Sequence, residues 1–131
     1  MIERVLPGGV CILLLATSGC GEFANERATS RCDVQDNYAY FELIAAGGRK
    51  HRGAIMDDAG VTFRVPPRAY AKRWADIAGI QAMKKDDGVA VTFRVRSRGS
   101  VYEEAYAGVP FGCWDRAQRF LESRRIQVDS R

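Results

Sequence analysis

The stretch that decides the fold is KDDGVAVTFRV (residues 85–95). Its pattern of an acidic pair, a glycine and then Val-Thr-Phe-Arg-Val occurs a second time, in MDDAGVTFRV (residues 56–65). Asp and Gly favour tight turns, because Asp can bond its own backbone and Gly tolerates positive φ. Alternating apolar and polar side chains are typical of a strand with one buried face. Each stretch therefore predicts the turn and the second strand of a β-hairpin.

Further strand signals lie on both sides of these two stretches. Residues 38–45 are aromatic and β-branched and predict a strand, and residues 53–56 predict a weaker one. The tripeptide Ser-Arg-Gly at 97–99 predicts a three-residue hairpin loop that leads into a partner strand at 100–107. That loop would place Arg94 opposite Tyr102, on one outward face.

Residues 68–85 allow two interpretations. Tyr70, Trp74 and Ile77 fall at helical spacing, which favours a helix. Alternatively, a strand runs through 80–84 and the turn at 86–88 joins it to the next strand. We expect a turn or short helix up to about Ala75 and a strand from about Ala78.

Residues 113–126 give the clearest helix signal, because Trp114, Ala117, Phe120 and Leu121 form one apolar stripe. The sequence therefore predicts an α+β domain. Its sheet would be small, antiparallel and strongly curved, or a partly open barrel, with about five to six strands. One C-terminal amphipathic helix would close it.

The first twenty residues have the composition of an export signal. Arg4 supplies positive charge, an apolar run follows at 10–16, and small residues precede Cys20. That run is shorter than the roughly 20 apolar residues that a membrane-spanning helix needs. An ordinary signal peptide with a coincidental cysteine, or a buried N-terminal strand, are the alternatives.

The tripeptide Ser18-Gly19-Cys20 resembles the end of a bacterial lipobox, although Thr17 stands where leucine is usual. The resemblance implies that residues 1–19 are a removed signal peptide and that Cys20 carries the acyl chains that hold the protein on a membrane. Because Gly and not Asp follows the cysteine, it further implies the periplasmic side of the outer membrane in a diderm organism. Residues 20–37 would then be a flexible tether, 38–126 a single domain and 127–131 a tail.

The cysteines suggest one disulfide. The chain has four, of which Cys11 would leave with the signal and Cys20 would carry lipid. Disulfides persist outside the cytoplasm, so the remaining Cys32 and Cys113 are predicted to pair, with two free thiols as the alternative. The sequence has no Cys-x-x-Cys motif and no Cys/His cluster, and it predicts no metal site.

The sequence predicts neither an enzyme nor a cofactor. His51, the only histidine, stands within the basic run 49–52, where an exposed loop residue is expected. The carboxylate pairs at 57–58 and 86–87 are better explained as turn formers. The net charge of +4 is too small and too dispersed to predict nucleic-acid binding.

The candidate binding residues are arginines and tyrosines expected on outward strand faces: Arg64, Arg94, Arg96, Tyr102 and Tyr106. Guanidinium groups suit phosphate or carboxylate, and tyrosine suits a protein interface. The alternative is a solvated face whose arginines pair with Glu42 and Glu104, and whose tyrosines only cover the sheet.

The order of elements over residues 38–126 resembles small bacterial members of the pleckstrin-homology-like family. The resemblance rests on the strand from Gly60, the basic run 68–73, the spacing of Trp74, Ile77 and Ile80, and the final helix. It implies a curved antiparallel barrel, whereas an unrelated sheet with one helix across it is the broader alternative.

Taken together, the sequence predicts a membrane-anchored envelope lipoprotein whose non-enzymatic domain binds a protein or an anionic headgroup. The alternative is an inhibitor or immunity lipoprotein that blocks a secreted toxin or wall hydrolase.

Overall fold

Antiparallel strands make up most of the chain in this computed structural model, which describes residues 29–44 and 51–131. Of these, Ser30–Leu43 and His51–Arg131 form one compact unit. The predicted signal peptide and Cys20 lie outside the described residues, as do the basic residues at 49 and 50. No helix in the described ranges is long and apolar enough to cross a membrane.

The first sheet contains five strands that neighbour one another in chain order. They are β1 (Thr29–Val34), β2 (Tyr38–Ile44), β3 (His51–Asp57), β4 (Gly60–Val65) and β5 (Arg68–Arg73). The predicted acidic turn between β3 and β4 is confirmed, because Asp57 Oδ1 accepts the N–H groups of Ala59 and Gly60 at 2.9 and 3.0 Å. Gly60 is required there, since a Cβ on it would lie 1.9 Å from the carbonyl oxygen of Lys72.

The second sheet contains four strands in the order β8-β7-β6-β9. They are β6 (Ile77–Lys85), β7 (Gly88–Ser97), β8 (Ser100–Val109) and β9 (Asp129–Ser130). The first three pair antiparallel, whereas β9 pairs parallel to β6. The predicted α+β class is therefore confirmed in its coarse form. The expected five to six strands are too few, because the described residues contain nine, and these form two sheets that do not close into a barrel.

The expected turn or short helix before Ala75 is wrong for residues 68–73, which form β5. Tyr70 lies opposite Phe63 of β4, with ring centroids 5.4 Å apart. The error has a simple cause, because positions four apart, such as Tyr70 and Trp74, fit both the helical and the strand period. Only Trp74–Asp76 is helical, as one 3₁₀ turn.

The predicted register of the β7–β8 hairpin is also wrong. Ser97 pairs with Ser100, so the loop has two residues, Arg98 and Gly99, with φ of 52° and 82°. Two positive φ values are the signature of a type I′ turn. A loop shorter by one residue turns every following side chain to the other face of the sheet. Tyr102 therefore lies opposite Val95, on the buried face.

One helix, α1 (Phe111–Ser123), follows β8 and packs against the core. The apolar stripe predicted for it is buried. The helix ends in a Schellman motif, in which the N–H of Ile126 bonds Leu121 O at 3.0 Å and that of Arg125 bonds Glu122 O at 2.9 Å. Residues 124–131, which we call the return segment, then lead back to β6. The sequence interpretation of 127–131 as a plain tail is thus corrected by β9.

A chain of aromatic rings joins both sheets and the helix into one core. Phe63 of the first sheet meets Phe93 of the second at 5.3 Å between centroids, and Phe93 meets Tyr106 at 6.0 Å. Phe41 continues the chain, at 5.1 Å from Tyr106 and 6.3 Å from Trp114 of α1. Edge-to-face contacts of this kind stabilise beyond the area they bury.

A disulfide joins Cys32 of β1 to Cys113 of α1, with Cα atoms 5.8 Å apart and a sequence separation of 81 residues. The bond connects an edge strand of the first sheet to the helix. Because β1 begins at Thr29, the predicted flexible tether over 20–37 is too long. The segment from Thr29 onward belongs to the sheet.

Candidate functional site

The structure keeps Arg94 and Arg96 on one face of the same strand, as predicted, but separates Arg64 from them. Arg64 is exposed on β4, whereas Arg94 and Arg96 are exposed on β7 of the other sheet. The core lies between the two sheets, so these outer faces point away from each other. Arg96 Nη1 also donates to the carbonyl oxygen of Ala75 at 2.8 Å, which ties it to the 3₁₀ turn. These arginines therefore form no single anion-binding stripe.

The two predicted surface tyrosines face inward, which corrects the outward placement. Tyr106 is 1% exposed, and its hydroxyl donates to the carbonyl oxygen of Gly53 at 3.1 Å. Tyr102 is half-buried and packs against the core. Burial raises the pKa of Tyr106, although the nearby Arg52 opposes the rise. Tyr106 therefore belongs to the interior, and Tyr102 lies at its margin.

A polar group that we call the seam cluster joins the sheets where β8 passes β3 and β5: Arg52, Tyr70, Tyr102 and Glu104. Glu104 accepts hydrogen bonds from the Tyr70 hydroxyl and, at 3.1 Å, from Arg52 Nη2. The Tyr102 hydroxyl donates to that of Tyr70 at 2.9 Å, and Arg52 Nη1 donates to the Ala105 carbonyl at 2.7 Å.

The seam cluster connects the two sheets through side-chain hydrogen bonds. Burial and the hydrogen bond to Glu104 raise the pKa of Tyr70, so its hydroxyl remains protonated as a donor. None of its buried side-chain N and O atoms lacks a hydrogen-bond partner, which is how buried polar groups stabilise a fold. The sequence left open a pairing of Glu104 with outward arginines; its partner is instead Arg52, on β3.

Glu42 forms a second polar group on the outer face of the first sheet. Its side chain is 5% exposed, and it contacts His51 Nδ1 at 3.3 Å and Arg31 Nη1 at 3.9 Å. His51 was expected in an exposed loop, but it begins β3 and covers this carboxylate. Burial and a hydrogen bond to Glu42 raise the pKa of Tyr40. Within the described ranges, no three His, Cys, Asp or Glu side chains lie close enough to hold a metal ion.

A groove of about 960 Å³ separates β6 from the return segment. Trp74 and Ile77 line one wall, and Ile126 and Val128 line the other. All four side chains are half-buried and rest on the core. The Trp74 indole is fixed, since its Nε1 donates to the carbonyl oxygen of Asp57 at 2.8 Å. The rim is charged and exposed, with Glu122, Arg125 and Asp129.

Backbone pairing holds the far end of this groove. In β9, Asp129 lies opposite Gln81 and Ser130 opposite Ala82. The Arg131 N–H donates to Ala82 O at 2.8 Å, and the Lys84 N–H donates to Arg131 O at 3.2 Å. This groove, with the strand edge beside it, is the candidate functional site.

Sequence reasoning missed this site. Trp74 and Ile77 were recognised only as elements of a helix or strand, and the polar residues 127–131 carry no strand signal. A glycine usually marks the left-handed position at the end of a helix. Here Arg125 occupies that position, with φ of 62°, so the sequence carries no such signal.

No known protein-family profile matches the chain, and no curated protein matches it either.

Proposed function

We propose that this chain is a lipid-anchored envelope protein whose folded domain is a non-enzymatic module that binds another protein. The observation that supports binding is the groove beside β6. It combines apolar walls, a charged rim and a strand edge, which are the elements from which protein interfaces are built. Trp74 supplies the large, fixed aromatic surface that interface hot spots favour.

The groove supports a protein partner better than an anionic headgroup. Its rim carries both signs of charge, with Arg125 positive and Glu122 and Asp129 negative. A phosphate site would concentrate guanidinium groups. The arginines predicted to bind an anion are instead divided between two sheets, with Arg64 on the first and Arg94 and Arg96 on the second.

We also propose the pleckstrin-homology-like type for the fold. Its support is the order of elements, in which four antiparallel strands from β2 to β5 precede three more, from β6 to β8, and then one amphipathic helix. The anchor rests on the lipobox resemblance at Cys20, which implies the periplasmic face of the outer membrane in a diderm cell.

Replacing Cys20 by serine should release the protein from the membrane, because the thioether that carries the acyl chains cannot form. Fractionation of cells that express Cys20→Ser should move the chain from the membrane to the soluble extracytoplasmic fraction. The mature N-terminal peptide of the unchanged protein should carry the mass of its acyl groups. Cys11→Ser is the control and should leave fractionation unchanged. Membrane retention of Cys20→Ser would overturn the anchor.

Exchange of the rim charges should weaken partner binding. The variant Glu122→Arg with Arg125→Glu keeps the net charge and changes exposed residues only, so its melting temperature should change little. We expect about a tenfold loss of affinity, or about 1.4 kcal/mol, for the partner isolated on the full-length protein. Affinity is measured by titration of that partner onto purified, membrane-extracted protein.

The matched control is Glu103→Arg with Arg94→Glu, a similar exchange between two residues that face each other on the outer face of the second sheet. It should leave affinity unchanged. Loss of binding in this control alone would move the site to that face and overturn the groove. A captured wall hydrolase or toxin that the chain inhibits would favour the immunity alternative.

A further inference from the structure

We propose that the edge of β6 is a strand-exchange site, at which an extended segment of the partner protein pairs with β6 in place of Asp129–Arg131. This inference rests on the proposed protein-binding function and adds to it the conformation of the bound partner. Asp129–Arg131, the last three residues of the return segment, would act as a built-in occupant that the partner displaces, while Ile126 and Val128 remain as a wall of the groove.

The β6 edge demonstrably accepts a strand. Its residues Ala82 and Lys84 both form backbone hydrogen bonds with Arg131. Such bonds depend on backbone groups and not on the identity of the side chains, so an extended segment of another protein can form them equally well. The Gln118 amide adds one side-chain contact, to Ser130 Oγ at 2.9 Å.

The resident strand is short. β9 has two residues, both exposed, whereas β6 has nine. Strands in folded proteins usually have about 3–10 residues. The register of β9 reaches Gln81 and Ala82, and residues 78–80 of β6 line the groove instead. A longer incoming strand would therefore gain pairing that β9 does not make.

The side chains beside the edge indicate what the incoming strand presents. Ile126 and Val128 of the return segment are half-buried, while Gln127 between them is exposed. Alternate residues of an extended segment point to the same side. The partner segment should thus carry apolar residues at alternate positions, which occupy the groove against Trp74 and Ile77.

The test weakens the pairing of Asp129–Arg131 with β6 by removing one backbone hydrogen-bond donor. Arg131→Pro removes the N–H that bonds Ala82 O and leaves the core untouched, because Arg131 is exposed. Arg131→Ala removes the same side chain and keeps that N–H, so it is the matched control. Hydrogen exchange of the Lys84 amide should be at least about threefold faster in the proline variant and unchanged in the alanine variant.

Partner capture is then measured in the cells that make the full-length chain. A photo-crosslinking amino acid, p-benzoylphenylalanine, replaces Gln127 on the groove wall or, as the positional control, Ala107 on β8. We expect adducts from position 127 and none from 107. Arg131→Pro should raise their yield about threefold or more, while Arg131→Ala should leave it unchanged. The crosslinked partner peptide should contain alternating apolar residues.

Each of the other outcomes would overturn a stated part of the proposal. Capture at position 127 with no response to Arg131→Pro, or with reduced yield, would overturn strand exchange and leave the protein-binding function standing. Capture only at position 107 would overturn the groove as well. Absence of a partner at both positions would overturn the proposed function itself.

Discussion

Loss of the Cys32–Cys113 disulfide should lower the free energy of unfolding by about 2–5 kcal/mol. The bond closes a loop between residues 81 positions apart, so it restricts the unfolded chain strongly. It also fixes the edge strand β1 to α1. In the variant Cys32→Ala with Cys113→Ala, β1 should be the part whose amide protection falls most. Urea unfolding followed by tryptophan fluorescence measures the change, since Trp114 lies next to Cys113 in α1.

Reduction provides the control for this prediction. The urea midpoint of the unchanged protein should fall on addition of dithiothreitol, whereas the midpoint of the double-alanine variant should not respond. Arg116 Nη2 lies 3.3 Å from Cys32 Sγ, and Arg116→Ala should leave the oxidised midpoint nearly unchanged because that contact is exposed. An unchanged protein that unfolds identically with and without reductant would contradict the disulfide.

Truncation of Glu104 to alanine should lower the free energy of unfolding by about 2–4 kcal/mol. Its side chain is 13% exposed, and its carboxylate accepts hydrogen bonds from the Tyr70 hydroxyl and the Arg52 guanidinium. Without it, two donors at the junction between the sheets lose their acceptor. Arg52 is partly exposed and can turn to water, which keeps the expected loss below that of a fully buried ion pair.

Glu103 is the natural control for Glu104. It is the next residue along β8, but it is exposed on the outer face, opposite Arg94. Glu103→Ala should change stability by no more than about 0.5 kcal/mol. Thermal and urea unfolding of the two variants measure the difference. Equal effects of both substitutions would contradict the role of the seam cluster.

The sequence predicted best where local chemistry decides the structure. The Asp57 turn, the strands that follow Gly60 and Gly88, and the buried stripe of α1 are all present. In each case the signal was a set of turn residues or a side-chain period, and such signals depend only on residues that are close in sequence.

The errors arose where one position satisfies two patterns. The four-residue spacing of Tyr70 and Trp74 suits a helix and a strand equally. The Ser-Arg-Gly loop has no residue that reveals Arg98 as left-handed, and the resulting slip of one residue moved Tyr102 and Tyr106 to the wrong face.

The groove could not be predicted because its walls are distant in sequence. The 3₁₀ turn at Trp74 and the return segment at Ile126 line the same groove because both pack against the core, and no local sequence signal joins them. The Val-Asp-Ser-Arg run of the return segment has no strand pattern, although its residues pair with β6 through backbone hydrogen bonds.

The position of the disulfide determines how mechanical load would cross this protein. In a chain held at Cys20 and pulled from residues that follow α1, tension enters at β1 and passes through the sulfur bridge into α1. The covalent shortcut carries the force from Cys32 directly to Cys113. The residues between them, which include seven complete strands from β2 to β8, lie outside this covalent path.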